Sequence, residues 1–147
     1  MYRAKATGRG QVAFFEASMN AEIRRRIELE RELHQALDKG QFVLHYQPQL
    51  DLRTGRIIGA EALIRWMHPR RGLVPPLQFI DFAESSGLIE EIGRWAMRAA
   101  ATQYVSWCAQ GVRIGHVSVN VSARQLRNAK FTPVSYTHLT LPTKLEV

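Results

Sequence analysis

The segment Gly59-Ala60-Glu61-Ala62-Leu63-Ile64-Arg65-Trp66 sets a carboxylate and a guanidinium inside an apolar run. Charges are rarely buried unless they are paired or used. The run is short and apolar and follows the turn signal Arg53-Thr54-Gly55, so residues 57–66 are expected to form a strand. Alternation then turns Glu61, Leu63 and Arg65 to one face and Ala60, Ala62, Ile64 and Trp66 to the other. The same rule groups Val43, His45, Gln47 and Gln49 on a strand over 41–52, and Ser118, Asn120 and Ser122 on a strand within 115–126. A Glu carboxylate and an Asn carbonyl are hard oxygen donors, suited to Mg²⁺, Mn²⁺ or Ca²⁺ rather than zinc. Arg65 offers a two-pronged donor for a phosphate, and Gln47 an amide for a base edge or a sugar. The plainer alternative is an internal Glu61–Arg65 ion pair, with Asn120 satisfying backbone groups. His45, His68 and His116 lack metal-ligand spacing and are expected in strands or loops.

The elements that must hold these groups can be read from periodicity. Residues 1–16 suggest the end of a helix, a Gly8-Arg9-Gly10 turn and a short strand. A helix over 19–38, closed by Gly40, would pack Met19, Ile23, Ile27, Leu33 and Leu37 on a broad face, with Glu22–Arg26 and Arg24–Glu28 as i,i+4 pairs. The Arg24-Arg25-Arg26 run then lies on a solvated helix face. The strands at 41–52 and 57–66 are close enough in sequence for an antiparallel hairpin. Pro75-Pro76 opens a helix to about Ser85. A longer helix from Leu88 to Ala109, closed by Gly111, packs Leu88, Ile92, Trp95, Ala96, Ala99 and Ala100. Strands separated by such helices imply crossovers and a partly parallel sheet or barrel. If the sheet curls into a barrel, Gln47, Glu61, Arg65 and Asn120 are expected to face one cavity at its mouth.

With 147 residues the chain has the length of one ordinary domain, and 46% hydrophobic residues suffice for a core. No apolar run reaches transmembrane length, and the N-terminus lacks the apolar centre of a signal peptide. The single cysteine, Cys108, excludes an internal disulfide and a multi-cysteine zinc site, and fits a reducing cytoplasm. The net charge of +7 admits a nucleic acid or a small anion as partner. Residues 1–39 carry eight Lys/Arg against six Asp/Glu, and residues 40–132 eleven against six. Apart from Arg70-Arg71, the surplus in the second stretch is spread singly, and no basic block is interleaved with aromatics. No specific nucleic-acid partner is therefore expected.

Glu61-Ala62-Leu63 followed by Ile64-Arg65-Trp66 resembles the signature of EAL domains, bacterial phosphodiesterases that hydrolyse cyclic di-GMP. Tyr46-Gln47-Pro48 is similar to the motif on their first strand, and Val119-Asn120-Val121-Ser122 to their asparagine-bearing strand. Phe79-Ile80, Ala83-Glu84 and Gly87-Leu88-Ile89 fall between them in the family's order, so the resemblance covers residues 30–130. It implies an α/β fold: part of a (β/α)₈ TIM-like barrel with an antiparallel first strand, preceded by a linker helix. It also implies a two-metal site of Mg²⁺ or Mn²⁺, held in part by Glu61 and Asn120 as catalytic and metal residues. Gln47, Leu63 and Arg65 become substrate contacts, and cyclic di-GMP is hydrolysed at one phosphodiester to linear pGpG. The alternative within the resemblance is an inactive EAL-type module that binds cyclic di-GMP or a protein partner.

The expected organisation is the C-terminal tail of a GGDEF domain at 1–16, where Tyr2-Arg3-Ala4-Lys5 and Gly8-Arg9 resemble its closing helix and turn. A linker helix comes next at 17–40, then a truncated EAL domain at 41–132, and a non-native read-through tail at 133–147. That tail resembles translated sequencing-adapter DNA and has no periodicity that would continue a barrel. The family's later elements supply a further metal-binding Glu, an Asp-Asp pair, a Lys and a last Glu and Gln, none of which can be placed here. No adjacent Asp pair occurs anywhere in the sequence. The metal site is thus expected to be incomplete in this chain and the chain itself inactive. The sequence leaves the oligomeric state open, a homodimer of the full-length protein being one option, with any membrane link only through upstream regions and a cytoplasmic location for the domain.

Overall fold

The computed structural model describes residues 6–127, with side chains described over 19–127. The 133–147 tail and Tyr2-Arg3-Ala4-Lys5 lie outside the described residues. The chain runs α1 (Ala6–Asp38), β1 (Phe42–Leu50), β2 (Ile57–His68), β3 (Gly72–Val74), a 3₁₀ turn (Pro76–Gln78), α2 (Ile80–Ser86), α3 (Ile89–Ala109), β4 (Val117–Val119) and α4 (Ala123–Arg127).

Helix α1 corrects the expected turn and strand before residue 17, because it runs unbroken through Gly8-Arg9-Gly10 and 11–16. A lone strand needs a neighbour for its backbone groups, whereas extending an existing helix satisfies them within the segment. The helix ends where Gly40 takes φ +62°: Gln41 N–H bonds to Ala36 O at 2.9 Å and Gly40 N–H to Leu37 O at 3.4 Å. That is the pair of reverse bonds by which a left-handed glycine closes a helix. Only the C-terminal half of the expected apolar face is covered. Leu33 is buried and Leu37 packs against the core, but Met19, Ile23 and Ile27 are exposed.

The hairpin forms as expected. Asp51 Oδ1 accepts from the N–H groups of Arg53 (2.8 Å) and Thr54 (3.3 Å), an Asx-turn that reverses the chain between β1 and β2. The two strands pair antiparallel from Phe42↔Trp66 through Gln47↔Glu61 to Gln49↔Gly59. The other edge of β2 pairs antiparallel with β3 over 66–68 and parallel with β4 over 60–62. Residues 63–65 of that edge lie between the two pairings. The result is an open, mixed four-stranded sheet with β2 at its centre. Strand β3, three residues long, was not legible in the sequence, and β4 covers only 117–119 of the expected 115–126.

Helices pack on one face of the sheet. Ala60, Ala62 and Trp66 are buried there with Phe42, Phe79, Ile89, Ile92 and Leu33. Phe42 meets Phe79 and Trp95 with ring centroids 5.7 Å apart, and Trp66 meets Phe79 at 5.8 Å in an edge-on contact. Trp66 Nε1–H donates to Gln41 Oε1 at 3.1 Å, so this large ring is buried without leaving its donor unpaired. The packed side of α3 is the expected one, with Leu88, Ile92, Ala96 and Ala100 buried.

Candidate functional site

With Trp66 and its alternates fixed in the core, the pleat turns Glu61, Leu63 and Arg65 to the opposite face. All three are half-buried. The register then fixes their neighbours: Gln47 lies directly across from Glu61, His45 from Leu63 and Val43 from Arg65. On the other edge Glu61 is level with Ser118 of β4, and Asn120 comes two residues on, beyond the last paired position. Its Nδ2 donates to Glu61 Oε1 at 2.7 Å. The Asn120 amide therefore bonds a side chain rather than backbone, and leaves its own oxygen as an acceptor.

Arg65 is not paired with Glu61. Its Nη1 donates to Ile64 O at 2.8 Å, and no carboxylate among the described residues forms a salt bridge with it. The guanidinium keeps donors free for another anion. Leu63, Arg65, Asn120 and Ser122 line a cavity of about 270 Å³, with Glu84 and Gln125 at its helical wall. Most of its remaining lining, including Ala62, Ile64, Ile89, Ile92 and Ala96, is apolar and belongs to the side of the sheet on which the helices pack. The expectation of one cavity for all four polar residues is thus met only in part: Glu61 and Gln47 do not line it. The cavity lies mostly between the sheet and the helices, whereas alternation puts Glu61 and Gln47 on the sheet's other face. Glu61 is tied to it through Asn120, and Gln47 is exposed.

A second polar cluster was missed in sequence. Glu32 of α1 receives His68 Nε2 at 3.2 Å and Arg70 Nη2 at 3.0 Å, and also pairs with Arg71. His68 Nδ1 accepts the backbone N–H groups of Arg70 and Arg71, both at 3.1 Å, which leaves the ring proton on Nε2, facing the carboxylate. Burial alone would raise the Glu32 pKa, but the His68, Arg71 and Arg70 contacts outweigh it and hold the carboxyl below its ordinary 4.5. The larger cavity here, about 490 Å³, shares no lining residue with the cavity at Arg65. The partners lie far apart in sequence, so no local spacing announced them. His116 is likewise a bonding residue, its Nε2 2.9 Å from Gln49 Oε1.

As a metal site the Glu61–Asn120 pair is a beginning. It brings two hard oxygen donors together, the right chemistry for Mg²⁺ or Mn²⁺, but such ions take six or more ligands. No group of three His, Cys, Asp or Glu suited to an ion occurs among the described residues. The donor set fits part of an oxygen-ligated centre.

An open mixed sheet with helices packed on one face is shared with known proteins. The EAL domain family matches residues 30–137, and this chain belongs to that family. It is 45% identical over 129 residues to the bifunctional diguanylate cyclase/cyclic di-GMP phosphodiesterase MucR of Pseudomonas aeruginosa, covering 88% of this chain and 19% of that protein. It is also 45% identical over 126 residues to the cyclic di-GMP phosphodiesterase PdeR of Escherichia coli, covering 86% and 19%. The chain thus spans about a fifth of the length of these relatives. Among solved structures, the PaMucR phosphodiesterase in complex with c-di-GMP superposes with a TM-score of 0.71 at 41% identity, covering 76% of this chain and 45% of that one. The Xanthomonas citri FimX EAL domain in complex with c-diGMP gives 0.69 at 26% identity, covering 82% and 46%.

Proposed function

We propose that this chain is the N-terminal part of a cyclic di-GMP phosphodiesterase domain that cleaves one phosphodiester of the dinucleotide to give linear pGpG. The observation that carries the reading is the 2.7 Å contact between Asn120 and Glu61, which sets an amide with its own oxygen still available beside the Glu61 carboxylate. Glu61 and Asn120 would hold a divalent ion, Mg²⁺ or Mn²⁺, with further ligands from outside the described residues. Such ions, when bound in pairs, activate a water and stabilise the leaving oxygen. Arg65 extends its fork toward a phosphate of the substrate, where a planar bidentate donor matches two oxygens. Leu63 supplies apolar contact beside it, and Gln47 presents an amide to base or sugar.

In this reading the open sheet is the first part of a (β/α)₈-like barrel whose interior is the face bearing Glu61. The likeness to solved EAL structures supports that closure. Tyr2-Arg3-Ala4-Lys5 supports a GGDEF domain upstream, with α1 as the connector. Cytoplasmic location is inferred from the substrate class. No helix among the described residues is long and apolar enough to cross a membrane, so a membrane link would come from other regions. The full-length protein should convert cyclic di-GMP to pGpG in Mg²⁺ or Mn²⁺ and stop on chelation. Binding of cyclic di-GMP with no product in either metal would refute the enzymatic reading and leave a binding module.

A further inference from the structure

Asn120 stands one residue past β4 and three before α4, so no strand partner fixes it. Its position is set by the turn that leads into α4. Ser122 Oγ accepts from Gln125 N–H at 3.3 Å, and Gln125 Oε1 accepts from Ser122 N–H at 2.9 Å. This is the reciprocal arrangement of a capping box, in which residues three apart satisfy each other's backbone donors at a helix start. Gln125 is only 2% exposed, an unusual depth for an amide on a five-residue helix. The space it occupies exists because of Gly93. A Cβ on that residue would stand 1.8 Å from Gln125 Nε2 and 2.8 Å from Cδ. Glycine inside a helix such as α3 is ordinarily unfavourable relative to alanine. Here it opens the notch that receives the amide.

We propose that Gly93, Ser122 and Gln125 form a device that holds Asn120 against Glu61, with Gly93 and Gln125 as positioning residues for the site. The chain of contact is continuous: α3 seats Gln125, Gln125 fixes Ser122, and Ser122 sets the two-residue step back to Asn120. The proposal rests on the reading of Glu61 and Asn120 as metal ligands. A cap that served stability alone would lower the unfolding temperature and leave the dependence on divalent ion unchanged.

The test uses the full-length protein with Gly93→Ala, Ser122→Ala, Ser122→Thr, Gln125→Ala and the Gly93→Ala/Gln125→Ala double variant, with Asn120→Ala as reference. Two quantities are read: hydrogen exchange across residues 117–126 without metal, and the Mg²⁺ concentration giving half-maximal turnover. Gly93→Ala and Ser122→Ala should speed exchange there and raise that concentration about tenfold or more, as loss of support behind a ligand does. Ser122→Thr keeps the hydroxyl and should stay near the parent values. The double variant should be no worse than Gln125→Ala alone, because the collision is gone. Should Gly93→Ala fail to fold, the Ser122→Ala and Ser122→Thr pair decides. Parent-like exchange and ion dependence in the Gly93 and Ser122→Ala variants, with Asn120→Ala impaired, would overturn the proposal. An unimpaired Asn120→Ala would overturn the metal reading itself and the proposal with it.

Discussion

Asn120 donates to Glu61 at 2.7 Å across 59 residues of chain, and the parallel pairing of β4 with β2 is what brings them together. The intervening α2 and α3 form the crossover that a parallel pair requires. Glu61 is thereby given a neutral amide as neighbour rather than the Arg65 guanidinium on its own strand. A carboxylate so placed remains available to a cation, and Arg65 remains available to an anion.

If Glu61 is a metal ligand, Glu61→Ala in the full-length protein removes a charged donor that nothing nearby replaces. Turnover of cyclic di-GMP should fall by far more than tenfold, where tenfold corresponds to about 1.4 kcal/mol of transition-state stabilisation. The circular dichroism spectrum should be unchanged, since Glu61 is only half-buried and lies off the apolar core. A loss below tenfold in a steady-state assay would remove Glu61 from the ligand set.

Arg65→Lys keeps the charge but loses the fork. One charge-assisted hydrogen bond to a phosphate is worth ~1.5 kcal/mol, so the apparent affinity for cyclic di-GMP should weaken about tenfold. The binding isotherm measured with divalent ions chelated would show it without turnover. Unchanged affinity would mean that Arg65 faces the cavity for structural reasons.

How far the sequence reveals this arrangement depends on the range of the interactions. The hairpin was legible because alternation and the Arg53-Thr54-Gly55 signal are local, and α3 because Leu88, Ile92, Ala96 and Ala100 keep helical spacing. The Glu61–Asn120 contact was legible only as a shared polar face, since the register of β4 depends on a crossover. Strand β3 is too short for any periodicity to form. The Ser122–Gln125 box carries a local spacing and was readable, yet its seat at Gly93 lies on another helix. Met19, Ile23 and Ile27 show the converse failure, because apolar spacing identifies a stripe without showing what covers it.

Glu32 ties α1 to the β2–β3 turn, and its removal should be felt in stability. Its pairs with Arg70 and Arg71 are partly solvent-screened, Arg70 being 72% and Arg71 46% exposed in their side chains, so they contribute little. The His68 contact is buried, and Glu32→Ala leaves its donor without a partner at a cost of ~1–3 kcal/mol. Because the folded-state pKa of Glu32 lies below 4.5, its stabilisation is complete above that pH and is lost as pH falls through the lower folded value. Denaturant midpoints measured from pH 7 down to pH 3 should therefore decline less steeply for Glu32→Gln than for the parent. Parallel curves would show that the carboxylate is not the titrating latch.

The 147-residue segment expressed alone should neither hydrolyse cyclic di-GMP nor bind it well. Glu61 and Asn120 stand together, and among the described residues no third carboxylate or histidine joins them to complete a centre. The outer edges of β1 and β4 have no strand partner among the described residues, and open edges invite pairing between chains. Exposed Ile57, Ile58 and Leu50 at one end of the hairpin add apolar surface to that hazard. The segment should thus self-associate at micromolar concentration, with hydrogen-exchange protection greatest over the Phe42, Trp66 and Phe79 core. A monodisperse monomer in sedimentation, together with measurable pGpG formation, would show that the elements from α1 to α4 suffice for a working site.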